Sequence, residues 1–242
     1  MIRTILFLAF GITVMILLLP VSFILWLLRD KSDEADASRF MDIVVKPGLY
    51  VLAWIAGAKI EARGTENIPD CPALFVANHQ GNLDALAALM KLGKMKPVLV
   101  KKEIMSLPVA RFYIDLESCV PIDRDDIRQS LTALKKITAK LKAGHSAIIF
   151  PEGTRSKGPD MNEFKHGAFK PALWADVPIV PFALDGSYKC FEEKGKLTPA
   201  VIKLSVLPPI MPEEFRGLKT QEISELVQSR IQAELDRMRS EG

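Results

Sequence analysis

The sequence predicts an α/β protein: a central, largely parallel mixed sheet flanked by helices, preceded by an N-terminal hydrophobic helical membrane anchor. Three observations lead there. Residues 5–28 are almost wholly apolar, with no charge between Arg3 and Arg29. From Lys59 onward, short strand patterns alternate with helical ones, the pattern of parallel strands joined by crossover helices. Polar, chemistry-bearing residues then begin where predicted strands end, which is where open α/β sheets bind ligands.

The first run, drawn as a straight helix, would extend ~36 Å, enough for a bilayer core. It is too long for a typical signal-peptide core, and no small-x-small cleavage site follows it. Pro20 lies inside it and is expected to kink or break the helix. Two geometries fit: one tilted spanning helix, or a bent hairpin entering one leaflet together with the next segment. That segment, residues 38–55, is mostly apolar, is interrupted by Pro47-Gly48, and carries Tyr50 and Trp54, residues suited to a membrane interface. Residues 30–39 between the two runs read as a solvated link. Arg3 on one side and Arg29 and Lys31 on the other leave the orientation of the first run unset. The chain therefore divides into a membrane-associated helical segment, 1–57, and an α/β domain, 58–242.

Within that domain, residues 59–64 alternate as a strand does. Residues 73–77 form a short buried strand, and 85–92 a helix stopped by Gly93. Residues 98–100 and 119–122 are strands. Residues 125–143 form a long helix with Ile127, Leu131, Leu134, Ile137 and Leu141 on its apolar face and Gly144 at its end. A strand over 147–150, a helix over 168–175 and strands over 179–184 and 201–207 follow, the last cut off by Pro208-Pro209. Thr220 is placed to cap a final helix whose stripe is Ile223, Leu226, Val227, Ile231, Leu235 and Met238.

The chain of 242 residues is 49% hydrophobic and 25% charged, which sets disorder aside, and its net charge of +3 is too small to indicate nucleic acid. Charge distribution says more. Between residues 85 and 102 stand Lys91, Lys94, Lys96, Lys101 and Lys102 without one acid, a pattern suited to anionic partners such as acidic lipid surfaces and phosphates. Lys135, Lys136, Lys140 and Lys142 read better as a solvated helix face. Cys71, Cys119 and Cys190 are scattered and odd in number, without C-x-x-C spacing. Neither a disulfide framework nor a zinc site is indicated, which suits a reducing compartment. His79, His145 and His166 form no ligand spacing, so no metal is implied.

Three polar segments follow predicted strands: Asn78-His79, Asp123-Arg124, and Pro151-Glu152-Gly153-Thr154-Arg155. Lys101 follows a fourth strand. His79 and Asp84 stand about 140° apart on a helix, so they share no helical face. Gly81-Asn82 between them can turn the chain and fold Asp84 back to one ring nitrogen, leaving Nε2 as a general base. Alone, the pair reads better as a loop histidine and a helix-capping aspartate. Gly153 and Thr154 can present N–H groups to an oxyanion, and Arg155 a fork matched to phosphate. Arg124 fits a second phosphate ligand or a partner for Asp123, Asp125 or Asp126.

Together these residues, in this order, resemble the glycerolipid acyltransferase family typified by bacterial 1-acyl-glycerol-3-phosphate acyltransferase. N-H-x-x-x-x-D is matched by Asn78, His79 and Asp84. K-x-E-x-x-x-x-P leading to I-D-R is matched by Lys101, Glu103, Pro108 and Ile122-Asp123-Arg124. F-P-E-G-T-R-S is matched in full from Phe150 to Ser156, and V-P-I-V-P from Val177 to Pro181. Any one block is weak, but four in order are specific. Two departures stand out. Gly81 occupies a place where the family often has Ser, which bears on the loop around His79. Val109-Ala110-Arg111 follows Pro108 where a glycine is common, which bears on the acceptor pocket or membrane-facing groove.

The resemblance implies an α/β acyltransferase domain over 58–242. In it, His79, oriented by Asp84, deprotonates the sn-2 hydroxyl of 1-acyl-glycerol-3-phosphate (lysophosphatidic acid). The oxygen then attacks the thioester of acyl-CoA or acyl-carrier protein, giving phosphatidic acid by direct transfer. Gly153 and Thr154 would serve the oxyanion, Lys101, Arg124 and Arg155 the phosphate, and Glu152 the glycerol or a basic partner. No cofactor beyond the acyl donor is expected. The expected partners are membrane lipids and the expected place is the cell membrane, with the catalytic domain facing the cytoplasm. Glycerol-3-phosphate or another lysophospholipid as acceptor, and a non-catalytic membrane-tethered lipid-binding homologue, are the alternatives.

Overall fold

A computed structural model of the chain describes residues 1–28, 41–94, 96–106, 111–112, 114 and 119–241. The expected link over 30–39, and Pro108, Val109 and Ala110, lie outside the described residues.

The N-terminal run forms one helix, α1 (Ile2–Leu28), which continues through Pro20. The expected break does not occur: the proline forfeits its own N–H, but the apolar turns on either side stay helical, as they do in membrane helices. A single π-helical turn over Met41–Val45 leads into α2 (Lys46–Ala56). Pro47 falls in the first turn of α2, where a missing N–H costs nothing, so Pro47-Gly48 starts this helix instead of interrupting it. Gly11 of α1 faces Leu52, and Gly48 of α2 faces Val14. The order of these contacts makes the two helices antiparallel neighbours, as in the hairpin geometry, and the small residues permit the approach. By length and composition α1 can cross or anchor to a membrane. Its side chains Ile5, Leu8, Ile12 and Leu17 are exposed.

Seven strands follow among the described residues: β1 (Ala58–Arg63), β2 (Leu74–Ala77), β3 (Leu99–Lys101), β4 (Val120–Ile122), β5 (Ala147–Ile149), β6 (Ile179–Asp185) and β7 (Ala200–Val206). Five pair in the order β1-β7-β6-β2-β5, and β3 pairs with β4. A parallel bridge from Val98 to Ile148 carries the β3–β4 pair onto the β5 edge. Every pairing is parallel except β6 with β7. That one reversal has a functional consequence. β7 and its parallel partner β1 run opposite to β2, β5 and β6, so they start at the edge where those strands end. The helical hairpin, entering through Gly57, therefore meets the domain at the edge where the candidate chemistry lies. Thr4 Oγ1 fastens this junction by accepting the Leu197 N–H at 3.0 Å.

The remaining helices are α3 (Asp84–Lys91), α4 (Ile127–Lys142), α5 (Lys170–Ala175), α6 (Pro212–Phe215) and α7 (Thr220–Ser240). Strand side chains alternate between two cores. Leu74, Val76, Ile149 and Ile179 pack with α4, α5 and α7 through Ile137, Leu141, Ala172, Ile223, Ile231 and Leu235. Phe75, Ala77, Ile148, Phe182 and Leu184 pack on the other face with Ala53, Ala56, Leu86 and Met90 of α2 and α3.

Two helix-end expectations change. Ile127 is 86% exposed, because it opens α4 beyond the sheet edge and cannot reach the core. Thr220 is the first helical residue of α7, one place past the capping position. The cap is made by Glu222, whose carboxylate accepts the Lys219 N–H at 2.7 Å. The lysine-rich stretch also divides. Lys91 lies over the Tyr50 ring. Lys96 closes the end of α3, donating to the carbonyls of Leu92 and Lys94 above the Phe75 ring, and burial pushes its pKa down to about 8. Lys101 pairs with Glu103 and Lys102 with Asp123 at the opposite end of the sheet. The stretch thus serves separate local partners and forms no single patch.

Asp126 caps α4 by accepting the N–H groups of Arg128 at 2.8 Å and Gln129 at 3.1 Å. The Gln129 N–H foremost holds its carboxyl below the ordinary aspartate value of 3.8. A folded pKa below the unfolded one stabilises above the unfolded pKa and loses that contribution as pH falls through the folded one. Asp126→Ala is therefore expected to lower the Tm at neutral pH, and its gap from the parent chain to shrink as pH falls below 3.8; thermal melts at stepped pH check this.

Candidate active site

The site is built on the turn between β2 and α3. Asn78 is fully buried and clamps β2 to β6: its Nδ2 donates to the Leu184 carbonyl and its Oδ1 accepts the Leu184 N–H, both at 2.8 Å. Next, His79 leaves the sheet edge. Its Nδ1 lies 2.7 Å from Asp84 Oδ2. The same oxygen accepts the Gly81 N–H at 2.8 Å, so one carboxylate oxygen closes the turn and fixes the imidazole. Asp84 is fully buried and is the first residue of α3, where the helix dipole favours a carboxylate. With Nδ1–H donated to Asp84, Nε2 is left to accept a proton. It has no partner among the described residues, and the ring, 16% exposed, is open to a ligand. The imidazole stacks on Phe150 with centroids 4.4 Å apart.

The Phe150–Ser156 block lies directly against this turn. Ser156 N–H donates to the His79 carbonyl at 2.8 Å and Lys157 N–H to the Gln80 carbonyl at 3.1 Å. Glu152 is 3% exposed. Its Oε1 accepts the His79 N–H at 2.6 Å and its Oε2 the Asn162 N–H at 3.0 Å. Burial raises its carboxyl pKa above the ordinary value, against the pull of those two amides. Both oxygens are engaged by backbone, so the expected grip of Glu152 on glycerol gives way to a structural role: it ties two functional loops together.

Gly153 also departs from expectation. Its N–H closes a turn onto the Phe150 carbonyl at 3.1 Å and is not available to an oxyanion. What position 153 requires is a left-handed φ of 71°, which glycine adopts without strain. The Thr154 N–H has no partner among the described residues, as is true of the neighbouring Glu152 and Arg155 N–H groups.

The predicted cations separate into bound and unbound. Lys101 points out from the strand end, 58% exposed, 3.4 Å from Glu103. Arg155 uses one terminal nitrogen on Asn82 Oδ1 and on Glu192 Oε1, the latter at 2.9 Å. Arg124 makes no hydrogen bond or ion pair with any described residue. Asp123, its nearest candidate partner by sequence, is engaged by Lys102. Burial lowers the Arg124 pKa, Glu103 opposes that, and the nearby charge of Arg155 adds to it. The two guanidinium groups therefore share one electrostatic neighbourhood. Arg124 lines a cavity of about 420 Å³ whose walls include Leu99, Ile122, Leu131, Leu134 and Phe150. Exposed Ile127 is also part of its lining. Lys165 lines it too, and its ammonium likewise makes no hydrogen bond or ion pair with a described residue.

Sequence reasoning missed Lys165, Gln80 and Glu192. Gln80, 1% exposed, accepts the Gly186 N–H at 2.9 Å and donates to the Pro159 carbonyl at 3.1 Å. None belongs to a spaced motif. The one available signal was Lys165 between two buried phenylalanines, Phe164 and Phe169. Among the described residues no cluster of His, Cys, Asp and Glu fits a metal ion.

The site thus consists of a largely parallel sheet with a histidine–aspartate pair at its carboxyl edge, beside an apolar cavity with cations in its lining. The family model for Acyltransferase matches residues 59–185, and the chain belongs to that family. A chloroplastic 1-acyl-sn-glycerol-3-phosphate acyltransferase of Arabidopsis thaliana is 34% identical over 182 residues, 74% of this chain and 49% of that protein. A probable 1-acyl-sn-glycerol-3-phosphate acyltransferase of Mycoplasma pneumoniae is 34% identical over 184 residues, 71% and 69% respectively. The match thus spans about half of the plant relative's length and over two thirds of the bacterial one's. The crystal structure of the 1-acyl-sn-glycerophosphate acyltransferase PlsC from Thermotoga maritima shares the fold, with a TM-score of 0.80 at 24% identity, covering 98% of this chain and 97% of that one.

Glu152→Gln keeps the shape but places an amide donor against one of two backbone N–H groups. An unmatched buried donor costs about 1–3 kcal/mol, so a lower Tm and a lower kcat are expected together. A raised KM for the acceptor with unchanged Tm would instead restore the substrate contact.

Proposed function

We propose that this protein transfers a fatty acyl group from acyl-CoA or acyl-carrier protein to the sn-2 hydroxyl of 1-acyl-glycerol-3-phosphate, giving phosphatidic acid. The observation that carries this reading is the 2.7 Å contact of His79 Nδ1 with buried Asp84, which leaves Nε2 without a partner beside a cationic, apolar-walled cavity. The names of the relatives add the acceptor class.

His79 Nε2 takes the proton of the acceptor hydroxyl as its oxygen attacks the thioester carbonyl. The C–S bond then breaks, and the thiolate leaves with that proton. Such general-base assistance contributes about 10²–10⁴ in rate. The unpartnered Thr154 N–H is the donor we assign to the developing oxyanion. Arg124, with Lys165 and the unused edge of Arg155, supplies positive charge for the acceptor phosphate. Lys101, exposed and paired, has the weakest claim. Transfer is direct. Cys190, the cysteine nearest the site, is buried and its thiol is pushed up to about 12, so it supplies no thiolate for an acyl-enzyme.

Residues 1–57 act as the anchor and 58–242 as the catalytic domain, at the cytoplasmic face of the cell membrane. The free thiols suit that side. Drawing a lipid chain into water costs about 0.8 kcal/mol per CH₂. A domain held at the bilayer by its own catalytic edge avoids most of that.

His79→Ala is expected to abolish transfer in a chain that still folds, and Asp84→Asn to cut kcat by about 10²-fold or more. Unchanged turnover in His79→Ala refutes the mechanism and favours a lipid-binding role. Arg124→Ala is expected to raise the KM for lysophosphatidic acid about tenfold. A panel of glycerol-3-phosphate, lysophosphatidic acid and other lysophospholipids against both donors tests the acceptor; turnover of another acceptor alone sinks this assignment.

A further inference from the structure

We propose that Glu192 is a positioning residue of this site: a buried carboxylate that sets the Arg155 guanidinium and the Asn82 amide, in a space kept open by Gly81. The proposal rests on the acyl-transfer reading above. Glu192 belongs to the connection between β6 and β7, outside the sequence blocks that carried that reading. Its side chain is 3% exposed. A carboxylate so enclosed is costly unless its oxygens are used.

Oε1 is used twice. It accepts the Asn82 N–H at 2.8 Å, inside the His79–Asp84 turn, and the Arg155 terminal nitrogen at 2.9 Å. That same nitrogen also donates to Asn82 Oδ1. Glu192, Asn82 and Arg155 thus close a three-membered ring of contacts joining the catalytic turn to the Phe150–Ser156 loop. Arg155 is held through one nitrogen only. Its other nitrogens have no partner among the described residues and make the edge available to a phosphate. Glu192 thereby points Arg155 and leaves its fork unspent.

Oε2 is buried without a hydrogen-bond partner. It sits 2.7 Å from where a Cβ on residue 81 would be, and the backbone carbon of Ser187 lies 3.2 Å from the same point. Gly81 has no left-handed φ, so its requirement is space alone. Asp84 Oδ1 and Ser187 Oγ are also buried without partners. Position 81 and Glu192 are therefore coupled: a side chain at 81 and the carboxylate compete for one volume.

The test is a double-mutant cycle with Gly81→Ser and Glu192→Ala, with Glu192→Gln as the conservative control, on the full-length protein in detergent. Glu192→Ala is expected to raise the KM for lysophosphatidic acid about tenfold, with the acyl-donor KM within about twofold. Glu192→Gln, which still offers Oε1 to both partners, should recover most of that loss. Gly81→Ser should impair turnover alone, and adding Glu192→Ala to it should cost little more. Equal changes in both KM values that track Tm, or losses that multiply, would overturn the proposal. A second arm needs no turnover. Lysophosphatidic acid in detergent micelles is titrated calorimetrically into His79→Ala with and without Glu192→Ala. Weaker binding in the double variant supports the positioning role even if the acyl-transfer assignment fails, and unchanged binding overturns that role even if the assignment holds.

Discussion

The bond between His79 and Asp84 is the constraint around which this edge of the molecule is arranged. A helix places two residues five apart on different faces, and a strand carries them about 17 Å apart. The contact exists only because residues 78–84 make a tight turn whose backbone is fixed from outside. Leu184 holds Asn78, Glu152 and Ser156 hold His79, Gly186 and Lys157 hold Gln80, and Glu192 holds Asn82. Asp84 closes the turn on itself through the Gly81 N–H. A general base must be held close to its productive geometry, and here precision comes from several independent strands and loops rather than from one rigid helix.

This arrangement assigns the charges unequal work. Carboxylates at the site are structural or orienting. Glu152 binds amides, Asp84 binds the imidazole, and Glu192 binds Arg155. Asp123 takes Lys102, which leaves Arg124 unpaired at the cavity. A cation already satisfied by a carboxylate gives a phosphate less than one that faces it unpaired. Pairing therefore grades the cations by how much of their donor capacity stays free, and positive charge in a sequence does not make that distinction.

The reversal between β6 and β7 relates chemistry to membrane. In a wholly parallel sheet the strand following the hairpin would start at the far edge. Because β1 runs with β7 and against β2, its first residue, Ala58, lies at the catalytic edge, with α1 and α2 ahead of it. One antiparallel pairing thus keeps the histidine–aspartate edge next to a helix long and apolar enough to cross a membrane.

The sequence by itself determined most of the element order, the largely parallel sheet and the apolar N-terminal run, because periodicity is a local property of the chain; His79 and Asp84 became a pair only through the family resemblance carried by the ordered motifs. It overreached at Pro20, which the apolar helix runs through, and at Ile127 and Thr220, where a helix end is decided by what lies beyond it. It turned Glu152 and Gly153 towards substrate, whereas in the fold their polar atoms meet backbone groups, which for Glu152 come near only after folding. It did not see Glu192, Gln80 or Lys165. Which cation remains unpaired, which carboxylate is buried, and which side chain fills the space over a glycine depend on contacts between residues far apart in the chain. Hydrogen bonding and excluded volume act on distance in space, so those choices belonged to the tertiary structure alone.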